Sequence, residues 1–334
     1  MDENNEIIST EKSTKPSLAA ERLQIGSTLL GVAFIFLFTA VAKGVIHVAV
    51  RAIAPEIAVT NWYSWAIAAV PMYLIAMPLS IFLFLMGRPT PPDKARVSLP
   101  VMLGLVAICF TLTYFGSVLG VAVNAIIGAI TGKMPINTLD QMATTAPLWT
   151  NLLFVGILAP VMEEIFFRKL VIDRLRRYGD LFAMLSSGVI FGLIHGNFYQ
   201  FFYATAMGIV FGYLYLRTGK LRHSIILHLC INLIGGVYAS EMLKLFDATL
   251  FASDPLSAIL KSPVGAVMLS FYASFLLACF IGAVFAVILL WRHWIRPHRF
   301  VPAARKLSAR EWVSVTLCNP ALYVFVIFLI LMFF

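Results

Sequence analysis

Residues 265–291 read GAVMLSFYASFLLACFIGAVFAVILLW, a run without a single charged side chain. At about 1.5 Å of rise per residue, a helix of this length exceeds the roughly 30 Å hydrocarbon core of a bilayer, so the run reads as a membrane span. Eight further apolar stretches read the same way, at about 27–49, 62–86, 98–130, 148–168, 181–199, 201–216, 224–240 and 313–334. The stretch at 98–130 is long enough to include a tilted or re-entrant part, and that at 201–216 is short. The 334-residue chain as a whole agrees, with 60% hydrophobic residues, 12% charged residues and a mean hydropathy of +0.90. These values exclude a soluble protein of one to three domains. The 27 Phe, 11 Tyr and 6 Trp suit lipid-facing helices and interfacial belts. Long apolar runs in place of short alternating strands argue against an outer-membrane barrel. The expected fold class is all-α, a polytopic membrane helix bundle of eight or nine transmembrane helices.

The net charge of +9 is unevenly spread. If the N-terminus is cytoplasmic, twenty of the 25 Lys and Arg fall in inside segments, against Arg51, Lys133, Lys244 and Lys261 outside and Lys43 within the first span. This bias predicts a cytoplasmic N-terminus and an outside C-terminus. The first span follows a polar tail and precedes further spans, so it reads as an uncleaved signal anchor. Cys109, Cys230, Cys279 and Cys318 all lie in apolar spans without zinc-type spacing, which argues against a disulfide framework or zinc finger. The organisation expected is a disordered cytoplasmic tail at 1–24, N-terminal spans at 25–147, a core at 148–240 and C-terminal spans at 241–334. Within the last, the basic loop 292–312, flanked and punctuated by Trp291, Trp294 and Trp312, is expected on the anionic inner leaflet and not on nucleic acid.

Fourteen of the 16 Asp and Glu sit in tails, loops or span ends; Glu163 and Glu164 lie inside an apolar stretch. A carboxylate at a helix centre costs about 2.5–3.5 kcal/mol on insertion scales, so two in succession need a partner, a water-filled cavity or a task. Arg168, one turn on, compensates one of them. Consecutive positions point about 100° apart, so a single arginine does not serve both well. Of six histidines, His223, His293 and His298 fall in loops and His47 stands beside Lys43, leaving His195 and His228 as intramembrane histidines. A lone membrane histidine is more often a hydrogen-bonding link between helices than a catalyst; two with a carboxylate pair are less easily read that way.

Spacing allows these residues to meet. Glu163 and His195 each lie 16 residues from Gly179, on either side of the turn Tyr178-Gly179-Asp180, so an antiparallel pair of helices holds both roughly 24 Å from the turn. His228 lies about 9 Å past Arg222 and Glu163 a similar distance before Arg168 and Lys169. Asn232, one turn after His228, shares its face; it serves either as a hydrogen-bonding link between helices or as a donor to a substrate oxygen. Phe191, one turn before His195, packs against it.

In order along the chain, Glu163-Glu164-Ile165-Phe166-Phe167-Arg168, Phe191-Gly192-Leu193-Ile194-His195 and His228-Leu229-Cys230-Ile231-Asn232 resemble the three motifs of the CPBP family of intramembrane proteases. This is the CAAX-protease and bacteriocin-processing family, also called Abi, which includes the type II CAAX prenyl endopeptidases. The resemblance covers roughly 148–240. It implies peptide-bond hydrolysis within the membrane, with Glu163 as general base for a water, His195 holding that water, and His228 and Asn232 stabilising the oxyanion. Glu164 and Arg168 take positioning roles. No serine or cysteine stands in a comparable constellation, which disfavours an acyl-enzyme. Glu163, His195 and His228 also qualify as a three-ligand zinc set with an open position. The zinc-protease signature His-Glu-x-x-His is absent, and the expectation is that no cofactor is required. The implied partners are membrane lipids and a membrane-associated peptide or lipidated protein, and the implied location is the plasma membrane, of bacterial type. Two other functions compete: a non-catalytic membrane scaffold or regulator, and a proton-coupled transporter, against which the lack of internal repeats counts.

Overall fold

The computed structural model describes residues 17–292, 300–304 and 306–333. Every regular element among them is helical. We number ten principal helices: α1 (Leu18–Ile53), α2 (Asn61–Phe84), α3 (Leu99–Thr131), α4 (Leu148–Tyr178), α5 (Asp180–Leu193), α6 (Phe198–Thr218), α7 (Leu221–Leu243), α8 (Pro263–Leu290), α9 (Ala309–Val315) and α10 (Pro320–Phe333). The protein is an integral membrane helix bundle.

Each of the nine expected spans falls on a helix, but among the described residues the number fit to cross a bilayer by length and apolarity is smaller. Six qualify (α1, α2, α3, α4, α7 and α8), and a seventh if α9 and α10, bent by 63°, count as one broken span. The difference lies in α5 and α6. With 14 residues α5 is short, and α6 carries Tyr199, Gln200, Tyr203 and Tyr213 along its 21 residues. α6 exposes no residue, so protein walls replace lipid around it and its apolarity is less constrained, whereas α5 still turns Leu181, Leu185 and Val189 outward. Glycines let them close on each other: a methyl group at Gly188 would meet Ile209, and one at Gly192 would meet Thr205 and the Phe201 carbonyl.

Around this pair, α3 lies against α6 at Gly116 and Gly120, and α8 lies against α3, where Phe110 and Phe275 meet edge to face. On the other side α1 packs on α2 through Gly31 and Phe84, and on α10. α4 runs between α5 and α7. Outward faces such as Phe271, Leu277, Ile281 and Val284 of α8 are exposed and apolar, as lipid contact requires.

One expected segment is corrected. The tail expected over 1–24 is helical from Leu18, N-capped by Ser17, and residues 1–16 lie outside the described set. Glu21 is buried because it accepts hydrogen bonds from Tyr178 (2.7 Å) and Arg177 (2.9 Å) on α4. In the basic loop 292–312, residues 293–299 and 305 lie outside the described set, so the placement expected of Trp294 on the inner leaflet is not addressed. The described part docks on protein: the Asp180 amide donates to the Val301 carbonyl and the Ala304 amide to the Arg177 carbonyl, both at 3.0 Å.

Candidate active site

Three of the ten helices are not α-helical throughout. α2 changes to π-helix over Val70–Ala76, α4 over Asn151–Leu158 and again over Ile165–Ile172, and α7 over Asn232–Tyr238. These widened turns shift side-chain directions away from 3.6-residue periodicity and recur at functional sites. Here they meet. Glu163 and Glu164 close an α-helical turn before the π segment of α4, Asn232 opens that of α7, and Tyr73 lies within that of α2.

The two glutamates divide their partners. Glu164 is fully enclosed; its Oε2 accepts from Arg168 Nε at 3.0 Å and its Oε1 from Nη2 at 3.3 Å. The Arg168 side chain is also enclosed, donates to Ser187 Oγ on α5 (2.8 Å), and lies over the rings of Phe191 and Phe211 at 5.3 and 5.8 Å. The ion pair is thus hydrogen-bonded on several sides, which a buried charge requires. Glu163 faces elsewhere: its Oε1 accepts from Tyr73 Oη at 2.5 Å, and its Oε2 lies 3.8 Å from His228 Nε2.

His228 stands between the carboxylates. Its Nδ1 lies 3.2 Å from Glu164 Oε1, which fixes the ring and turns Nε2 toward Glu163. Phe211 packs on the ring at 4.8 Å. His195 approaches from the other side of Phe191, whose ring meets both imidazoles edge-on, at 5.1 and 5.8 Å. The sequence places His195 inside a span, whereas α5 ends at Leu193 and His195 sits in the connector to α6, before Gly196 at φ 64°. Its Nδ1 lies 2.7 Å from the Phe191 carbonyl. A carbonyl only accepts, so Nδ1 carries the proton and Nε2 keeps its lone pair.

Asn232 is turned toward α4, where its Nδ2 donates to the Val155 carbonyl at 2.9 Å. It therefore ties α7 to α4, and one amide hydrogen remains for another acceptor. Tyr73 was absent from the residues singled out in the sequence; as a neutral side chain in an apolar span it raises no burial cost that would mark it.

No three His, Cys, Asp or Glu among the described residues are grouped to hold a metal ion. Glu163 Oε1 and His228 Nδ1 are engaged by Tyr73 and Glu164. That leaves Glu163 Oε2, His228 Nε2 and His195 Nε2 as the atoms that would hold a zinc ion, and no step below runs through a metal.

A buried pair of glutamates and two histidines inside a membrane bundle defines a carboxylate–histidine intramembrane site. Residues 145–234, which contain all three motifs, match the family of type II CAAX prenyl endopeptidase Rce1-like proteins. The chain is also 40% identical over 78 residues to a Bacillus subtilis (strain 168) protein named "Putative membrane peptidase YdiL". That stretch is 23% of this chain, and the chain spans about a third (32%) of that relative's length. No solved structure matches. Tyr73 lies outside the matched segment.

Proposed function

We propose that this protein is an intramembrane endopeptidase that hydrolyses a peptide bond of a membrane-associated peptide or lipidated protein by means of a water activated by Glu163. The observation that carries this reading is the asymmetry of Glu163: a buried carboxylate with one oxygen held by Tyr73 and the other 3.8 Å from His228 Nε2. A base held in this way is poised to take a proton from a water that His195 Nε2 holds by accepting its other hydrogen. The water oxygen bonds to the carbonyl carbon, and the carbonyl electron pair moves onto oxygen. His228, with Nδ1–H on Glu164 and a second proton on Nε2, donates to that oxygen, joined by the remaining Asn232 amide hydrogen. Glu163 then passes its proton to the leaving nitrogen as the C–N bond breaks. We place the N-terminus in the cytoplasm of a bacterial plasma membrane, because the end of the bundle formed by Arg88, Arg174, Arg177 and Arg217 gathers the basic residues.

The test compares peptide termini in membranes from cells with the wild type, a deletion, Glu163→Gln or His195→Ala. Termini produced by the wild type are expected to vanish in both variants at unchanged protein level, a loss of about 100- to 10,000-fold for the general base. Termini retained in both variants would reject the reading. A deletion phenotype complemented by Glu163→Gln would install the scaffold function instead.

A further inference from the structure

We infer that Tyr73 is a positioning residue for the reaction: its hydroxyl holds Glu163 Oε1 and so presents Oε2 to the reacting water. This deepens the endopeptidase reading and rests on it.

Three observations converge. The Oη–Oε1 separation of 2.5 Å lies at the short end for hydroxyl–carboxylate bonds, which are among the stronger hydrogen bonds of proteins. Both ends are enclosed, Tyr73 being 9% and Glu163 6% exposed, so water does not readily replace either partner. The donor is also carried by a backbone feature of its own. Pro71 lacks the amide an α-helix needs, and α2 widens into its π segment over 70–76, with Tyr73 inside it.

The consequence concerns orientation. A carboxylate on two rotatable side-chain bonds beyond Cβ, with no partner on either oxygen, presents its lone pairs over a wide range of angles. Glu164 is fixed by Arg168 and His228, but Glu163 receives neither of Arg168's nitrogen contacts. The Tyr73 bond is what restrains it on the side away from His228. With Oε1 occupied, Oε2 is the oxygen left to act as base, on the side of His228. The residues that match the CAAX-protease family, 145–234, are thus incomplete as a catalytic unit: one of the helices before them supplies the hold on the base.

The experiment uses the full-length protein in detergent or liposomes with the peptide that the wild type is found to cleave. Tyr73→Phe removes the hydroxyl and keeps the ring. Tyr63→Phe on the same helix, whose hydroxyl meets His47 at 3.1 Å, is the control. A kcat decrease of about 10- to 100-fold is expected for Tyr73→Phe, with KM within about twofold and unchanged activity for Tyr63→Phe, as for a reacting group displaced by a fraction of an ångström. A kcat equal to the wild type, or a loss confined to KM, would overturn the inference while leaving the function in place. If Glu163→Gln itself still cleaves, the function reading fails. In that case thermal unfolding of Tyr73→Phe, Glu163→Gln and the double variant decides the pairing: coupled shifts support it and additive shifts overturn it.

Discussion

Glu164 and Arg168 form a forked ion pair, at 3.0 and 3.3 Å, in which both side chains are excluded from solvent and lipid. Removing one partner strands the other as a buried charge. Arg168→Met is expected to cost about 3–5 kcal/mol, read as a large fall in unfolding temperature and in membrane protein level. Replacing both, as Glu164→Leu with Arg168→Met, is expected to recover most of that stability, because an apolar pair of similar volume carries no desolvation cost. It does not recover cleavage, because His228 Nδ1 loses the carboxylate that orients it. Equal stability of the single and double variants would show that the pair is not coupled.

Gly192 is the second position at which one added group should be felt. A methyl group there would collide with Thr205 Oγ1 and crowd the Phe201 carbonyl on α6. Backbone on the far side leaves little room to yield, so Gly192→Ala should push α5 away from α6 and carry Phe191 and His195 with it. The expected result is about 1–3 kcal/mol of overpacking cost with a loss of cleavage larger than the stability change explains. Wild-type cleavage by a destabilised Gly192→Ala would separate the helix contact from the site.

The membrane bundle was legible in its apolar runs, and the site in its misplaced charges. Glu163 and Glu164 stood out because carboxylates are rarely found within apolar stretches, and Arg168 lay one turn away. The 100° between the two glutamates already implied separate partners, which the structure supplies as Arg168 for Glu164 and Tyr73 for Glu163. What escaped was whatever carries no solvation cost. Tyr73 is one of 11 tyrosines, and nothing in its neighbours announces that its hydroxyl meets a glutamate ninety residues on. The π segments escaped because a reading built on 3.6 residues per turn has no place for them, although Pro71 stands in one of them and Pro160 just after another. Glu21, Asp173 and Asp180 fall in tails, loops or span ends by sequence, yet they are buried where Tyr178, Tyr215 and Arg176 bond to them. Proximity to a loop does not reveal that the loop is covered by protein.

Chelation tests the absence of a required metal. Because no three His, Cys, Asp or Glu among the described residues are grouped to hold a metal ion, we propose that cleavage survives dialysis against EDTA and 1,10-phenanthroline. The check is activity measured beside metal content on the same sample. Activity lost with the metal and restored by zinc would replace the water-activation scheme.

Asn232 separates a structural role from a chemical one. Its amide donates to the carbonyl of Val155, inside the π segment 151–158 of α4, so it joins two helices whose backbones both depart from α-geometry at the contact. Asn232→Leu removes the donor and leaves that carbonyl without this partner, at a cost of about 1–2 kcal/mol, in line with hydrogen bonds between membrane helices. If the other amide hydrogen also serves the oxyanion, cleavage falls by about 100-fold or more beyond that cost, with kcat and kcat/KM reduced together. Asn232→Asp keeps the shape but has no N–H when ionised, so it should fail on both counts. Were Asn232→Leu destabilised yet fully active per folded molecule, oxyanion stabilisation would fall to His228 alone, and Asn232 would stand as the strut between α4 and α7.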